Sequence, residues 1–204
     1  MQLCDYCAYC LCGHLFCSVG VALAVGSGST VYTSDSTSSF STWTAASTPP
    51  VSAVLYDCKT IDGNVFYIVG EGGVMLTWSS GSWSQLSVGT TFDLHTISLI
   101  SNAELMVQGS NSSMYYFARS ADGGASWTSF SLFSNPTTLS YPQHALFMLT
   151  SKIAFAGSTN GKIMQTANGG RSWSTAFSAT TDKIIFTLSM YSSDVGIAGM
   201  KTFA

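Results

Sequence analysis

Charge is what this chain has least of. Only 8% of its 204 residues are Asp, Glu, Lys or Arg, and these comprise two arginines (Arg119 and Arg171), two glutamates (Glu71 and Glu104), five lysines and eight aspartates, for a net charge of −3. Such a chain has no basic face with which to track phosphates, so nucleic acid is excluded as a partner. Two arginines also fall short of the cluster that would fork onto a sugar-acid carboxylate. Glu71 and Glu104 are the only glutamates and stand at strand or loop boundaries, a poor basis for two-carboxylate glycoside hydrolysis. No run of 18 or more uncharged apolar residues is present, so no transmembrane segment is expected. The most apolar N-terminal stretch, Leu11 to Val25, has no Lys or Arg before it and so lacks the positive start of a secretory signal. A secreted or lumenal location is compatible with the sequon Asn111-Ser112-Ser113, but the compartment is left unassigned.

Cysteine is nearly absent after residue 17. Cys4, Cys7, Cys10, Cys12 and Cys17 crowd the start, and Cys58 stands alone, which argues against a disulfide framework. The first three form two C-x-x-C pairs sharing Cys7, with His14 nearby. Structural zinc sites draw ligand pairs from two segments separated by a folded loop, whereas these donors share one short run. Residues 1–20 are therefore read as a divergent Cys-rich N-terminal segment, and no metal or other cofactor is assigned.

What the chain does have is a repeat. Trp43, Trp83, Trp127 and Trp173 stand 40, 44 and 46 residues apart. The two clearest copies, Ser120-Ala121-Asp122-Gly123-Gly124-Ala125-Ser126-Trp127 and Thr166-Ala167-Asn168-Gly169-Gly170-Arg171-Ser172-Trp173, match position by position. Trp78-Ser79-Ser80-Gly81-Ser82-Trp83 is a degenerate copy, and Ser34-Asp35 through Thr42-Trp43 a more degenerate one. A second marker keeps the same period: small-apolar strands closing on Gly26, Gly70, Gly109, Gly157 and Gly199. Each is followed by another β-type run and most are preceded by one, so a unit reads as first strand, Gly-terminated strand, third strand, Trp turn and short outer strand. Four short strands at a period in the forties make one propeller blade. The fold expected is all-β, a β-propeller with four-stranded antiparallel blades over residues 21–204. It is read as an open array of about four blades plus part of a fifth (184–204), whose raw edges invite self-association.

The turn has a physical rationale. Asp122 or Asn168 accepts hydrogen bonds from backbone N–H groups ahead of it, the Gly-Gly pair supplies positive φ, and Ser126 or Ser172 bonds back into the loop. The Trp then lays its ring over the hairpin or a neighbouring blade, and Trp83, Trp127 and Trp173 are expected in equivalent, largely buried places. A motif present in every blade performs the same packing task in every blade, so Ser120, Asp122, Gly124, Ser126, Trp127, Thr166, Asn168, Gly170, Ser172 and Trp173 are read as structural.

These residues carry a resemblance. The pattern S-x-D-x-G-x-[ST]-W is similar to the Asp-box, or bacterial neuraminidase repeat. Joined to the Gly-terminated strand and the strand after it, as in 153–157, 163–166 and Trp173, it resembles the photosystem II assembly factor propellers and their non-photosynthetic relatives. The resemblance implies a non-catalytic scaffold that binds a protein partner, as in assembly of a complex; the alternative it carries is a glycan-binding protein or a degenerate sialidase-like hydrolase. Catalytic residues are expected to be absent. One small site is considered: His95 and His144 fall 14 and 13 residues before Gly109 and Gly157, on the first strands of successive units, with Asp93 two residues from His95. On a propeller axis such a trio could act as an acid–base pair or take a metal.

Overall fold

A computed structural model describes residues 11–12, 20–111, 114–134, 145–158, 161–179 and 183–202. The chain divides into two compact units, Met1–Leu94 and His95–Ala204. Each is built from antiparallel meanders in which strands adjacent in sequence are adjacent in the sheet.

In the first unit, one sheet runs β1 (Leu11–Cys12), β2 (Val21–Val25), β3 (Val31–Asp35) and β4 (Thr44–Ala45). Its first strand comes from inside the cysteine-rich segment: Leu11 and Cys12 pair with Ala24 and Leu23. The next sheet runs β5 (Leu55–Lys59), β6 (Phe66–Gly70), β7 (Val74–Ser79) and β8 (Ser82–Ser87). In the second unit, β9 (Asp93–Leu99), β10 (Leu105–Ser110), β11 (Met114–Ser120) and β12 (Thr128–Ser134) form one meander, and β13 (Leu146–Met148), β14 (Ala154–Gly157), β15 (Lys162–Thr166) and β16 (Ser174–Ser178) another. The described strands end with the pair β17 (Lys183–Met190) and β18 (Gly196–Thr202). The architecture is all-β, with four-stranded antiparallel blades in the order the repeat predicts.

Burial is graded across each blade. The second strands β6, β10 and β14 are buried at every residue, or nearly so, whereas β8 is exposed or half-buried along its length and β16 is exposed throughout. A strand covered on both faces loses the period-two pattern and reads as a continuous apolar run, which is why Phe66-Tyr67-Ile68-Val69 and Leu105-Met106-Val107 are so evident in the sequence. The cores lie between consecutive blades. Leu23 and Val31 of the first sheet pack with Leu55, Cys58, Phe66, Ile68, Leu76 and Trp78 of the second. In the second unit Met106 and Phe117 pack with Leu146, Met148, Ala154 and Ala156, and Phe155 packs with Ile185 and Leu188. A buried hydrogen bond from Met148 N to Ser98 Oγ (2.8 Å) ties β13 to β9.

The strand-closing glycines serve close approach rather than unusual backbone angles. A Cβ on Gly157 would stand 2.6 Å from Ile185 Cβ and 2.7 Å from Ala145 Cβ, and one on Gly70 would stand 2.4 Å from Val54 O. The paired first strand of the same blade leaves no room for a methyl group at Gly70, and at Gly157 Ile185 of the following strand pair closes the space as well.

Candidate functional site

The two long Trp turns close on themselves through nearly superimposable hydrogen bonds. In the first, Ser120 Oγ accepts from Gly124 N (2.8 Å) and Asp122 N (3.3 Å) and donates to Asp122 Oδ1 (2.7 Å). The Asp122 carboxylate then accepts from Ser126 N (2.9 Å) and Ser126 Oγ (2.5 Å). In the second, Thr166 Oγ1 accepts from Gly170 N (3.0 Å) and Asn168 N (3.3 Å) and donates to Asn168 Oδ1 (3.0 Å). Asn168 Oδ1 accepts from Ser172 N (2.9 Å), and Nδ2 donates to Ser172 Oγ (2.7 Å). Gly123 and Gly124 (φ 73° and 91°) and Gly169 and Gly170 (φ 72° and 94°) take the left-handed region that favours glycine. The hydrogen bonds from Ser126 and Ser120 hold the Asp122 carboxyl at a pKa of about 2, below its ordinary 3.8.

The indoles of Trp127 and Trp173 each donate to the carbonyl of the second turn glycine, Gly124 or Gly170, at 3.1 Å. Trp173 also stacks at a tilt on Phe117 of the preceding blade, ring centroids 4.7 Å apart. All four repeat tryptophans are half-buried, which corrects the expectation that Trp83, Trp127 and Trp173 are largely buried.

Two copies depart from this geometry. Ser80 and Gly81 (φ 49° and 85°) form a two-residue hairpin turn with positive φ at both central positions, so Trp78 and Trp83 sit directly opposite on paired strands. Trp78, not Trp83, is the buried ring, edge-on to Phe66 at 5.7 Å. Trp83 instead donates to Ser47 O (3.0 Å) and Oγ (2.9 Å) and is not the counterpart of Trp127. In the first blade Asp35 caps its own short turn, accepting from Thr37 Oγ1 (2.6 Å) and Ser38 N (3.0 Å).

Of the residues considered for an axial site, Asp93 and His95 lie within the described residues. Asp93 Oδ1 accepts from Gly72 N (2.8 Å) and so fixes the turn after β6. His95 is 7% exposed, with Nε2 2.9 Å from Ser110 Oγ on the same blade. His144 lies outside the described residues, as do Cys4, Cys7, Cys10, His14 and Cys17. No three His, Cys, Asp or Glu side chains gather as a metal site among the described residues. Cys58 is fully buried, its thiol directed at Leu23 O (3.6 Å).

The feature that sequence reasoning missed lies between the two long turns. A cleft of about 180 Å³ is lined by Arg119, Asp122, Ser126, Phe130, Asn168 and Arg171, among others. Both arginines of the chain therefore face one cleft. Arg119 is a quarter exposed and pairs with Glu104 (Nη2 to Oε2, 2.5 Å), while its Nη1 would touch a Cβ on Gly169 at 3.1 Å. Arg171 is exposed at the rim. Its own position in the second turn was the only signal in the sequence, since the sharing of a cleft depends on how one blade stacks on the next. The cleft supplies a guanidinium fork, an aromatic wall and turn hydroxyls.

No family model matches the chain, and no curated protein matches it. Solved structures do. The chain is similar to a structure of YCF48 bound to D1 peptide, at 19% identity and a TM-score of 0.53, covering 67% of this chain and 43% of that one. YCF48 from Cyanidioschyzon merolae gives 12% identity, a TM-score of 0.61 and coverage of 89% and 63%. U3-55K gives 11% identity, a TM-score of 0.62 and coverage of 89% and 57%, and the WD40 repeats of RRP9 give the same values. At such identities the likeness concerns the fold, a β-propeller. The chain spans between 43% and 63% of the length of these neighbours. Among the described residues no helix is long and apolar enough to cross a membrane.

Proposed function

We propose that the chain is a non-catalytic propeller scaffold whose Asp-box turns are structural and whose Arg119–Arg171 cleft holds a protein partner. The observation that carries this reading is the convergence of the chain's two arginines, from consecutive blades, beside Phe130. The two guanidinium groups share the cleft with the Asp122 carboxylate, so a chain poor in charge brings its two arginines and a turn carboxylate together there. Glu104 offsets Arg119, which leaves Arg171 as the group free to fork onto a carboxylate. Phe130 offers the apolar contact that a peptide side chain beside that carboxylate needs. The likeness to a YCF48 structure that holds a D1 peptide supports peptide binding by this kind of propeller, and the role proposed for this chain is to hold a protein segment, as in assembly of a complex.

The partner chemistry expected is an extended segment with an Asp, Glu or terminal carboxylate next to an apolar residue. Fluorescence anisotropy with labelled acidic peptides and their Ala-for-acid counterparts tests it. Arg171→Ala should weaken binding of the acidic set about tenfold, the loss of one charge-assisted hydrogen-bonded contact. Equal binding of both peptide sets, or no effect of Arg171→Ala, would remove the cleft from the function.

A further inference from the structure

The first unit contains a second, larger cavity with a different chemistry. Its volume is about 350 Å³, and Thr33, Ser34, Asp35, Thr42, Thr44 and Trp78 line it. Ser34 and Trp78 are 4% and 8% exposed, and Ser34 Oγ and Trp78 Nε1 are both buried without a hydrogen-bond partner. Buried hydroxyls and indole N–H groups are normally satisfied, so two orphans lining one cavity point to an occupant that bonds to them.

Strand register explains why these two groups are available. Ala22 pairs with Ser34, Phe66 with Trp78, Leu105 with Ser120 and Ala154 with Thr166, which puts all four at one position of the repeat. Ser120 and Thr166 spend their hydroxyls closing the long turns. In the first blade Asp35 closes its turn through Thr37 and Ser38, and in the second the tight hairpin needs no side chain. Neither Ser34 Oγ nor Trp78 Nε1 is thus drawn into closing a turn, and both residues line the cavity.

The lining selects the ligand class. Hydroxyls, threonine methyls, an indole and one carboxylate are present, and no Lys, Arg or His. The Asp35 charge repels anions and can accept hydrogen bonds from ligand hydroxyls. A volume near the lower end of small-molecule pockets, roughly 300–1,000 Å³, suits one ring rather than an oligomer. We propose that this cavity binds a single neutral sugar ring, whose hydroxyls pair with Ser34, Asp35 and the Trp78 indole N–H while its C–H faces rest on the threonine methyls and the indole. It shares no residue with the arginine cleft, so it stands or falls separately from the partner reading.

The test is an NMR titration of the Trp78 indole N–H, assigned by its loss in Trp78→Phe, with methyl glycosides of glucose, galactose, mannose and N-acetylglucosamine, and with glucuronate as the anionic control. A saturable shift with at least one neutral glycoside is expected, with a Kd on the order of 1 mM for so small a ligand, and none with glucuronate. Ser34→Ala should weaken binding about tenfold. Asp35→Ala, at an exposed position, removes another proposed partner of the sugar hydroxyls and gives the same readout should Ser34→Ala fail to fold. No saturable shift with any neutral glycoside, which would mean a cavity holding water alone, overturns the proposal. So does glucuronate binding as tightly, or binding that neither substitution alters.

Discussion

Replacing Trp173 by Ala isolates what a repeat tryptophan contributes. A fully buried Trp truncated to Ala costs about 3–5 kcal/mol, and the half-burial of Trp173 brings the transfer part to roughly 2 kcal/mol. The tilted stack on Phe117 at 4.7 Å adds about 0.5–1 kcal/mol. The indole bond to Gly170 O contributes about 1 kcal/mol, part of which water regains once the exposed turn carbonyl is freed. The expected loss is therefore about 3 kcal/mol. Trp173→Phe, which keeps an aromatic ring for the stack but forfeits the N–H and part of the indole's half-buried area, should lose about 1 kcal/mol. Urea denaturation followed by circular dichroism reads both; at an m-value of about 2 kcal/mol/M the midpoint falls by roughly 1.5 M for Ala and 0.5 M for Phe. A loss under about 1 kcal/mol for Trp173→Ala would show that the ring does not staple one blade to the next, and equal losses for both variants would place the energy in the hydrogen bond instead.

Other consequences follow from the same geometry. The Asp122 carboxyl, at a pKa of about 2 against an unfolded value near 3.9, stabilises the folded chain fully above pH ~4 and loses that contribution as pH falls through about 2. A carboxyl-carbon NMR titration should find its midpoint near 2 and see it rise in Ser126→Ala; a midpoint near 3.9 in the native chain would refute the turn's hydrogen bonding. Gly157→Ala, whose added methyl would lie 2.6 Å from Ile185 Cβ, should destabilise by about 1–3 kcal/mol in the same urea assay, and a neutral result would mean that β14 and β17 pack more loosely than described.

The reach of sequence reasoning here depended on how local each feature is. The Asp122 and Asn168 turns were legible because every bond in them joins residues within four positions, and hydroxyl, carboxyl or amide, and paired glycines state that chemistry directly. The second strands were legible because burial on both faces leaves an unbroken apolar run closed by a glycine. The degenerate Trp78–Trp83 copy misled because its flanking tryptophans mimic the repeat, while Ser80-Gly81 encodes a shorter turn that exchanges which ring is buried. The pairing of His95 with Ser110, and the meeting of Arg119 with Arg171, depend on cross-strand register and blade stacking, which no spacing along the chain expresses.

The account rests most heavily on the arginine cleft as the place where a partner is held. Side-chain NMR of the two arginine Nε–H groups during titration with an acidic peptide tests this most directly, because the chain has only Arg119 and Arg171. The account predicts a saturable shift largest at Arg171, with accompanying backbone shifts at Ser126, Phe130 and Asn168. Saturable binding that leaves both arginine signals unmoved would contradict it.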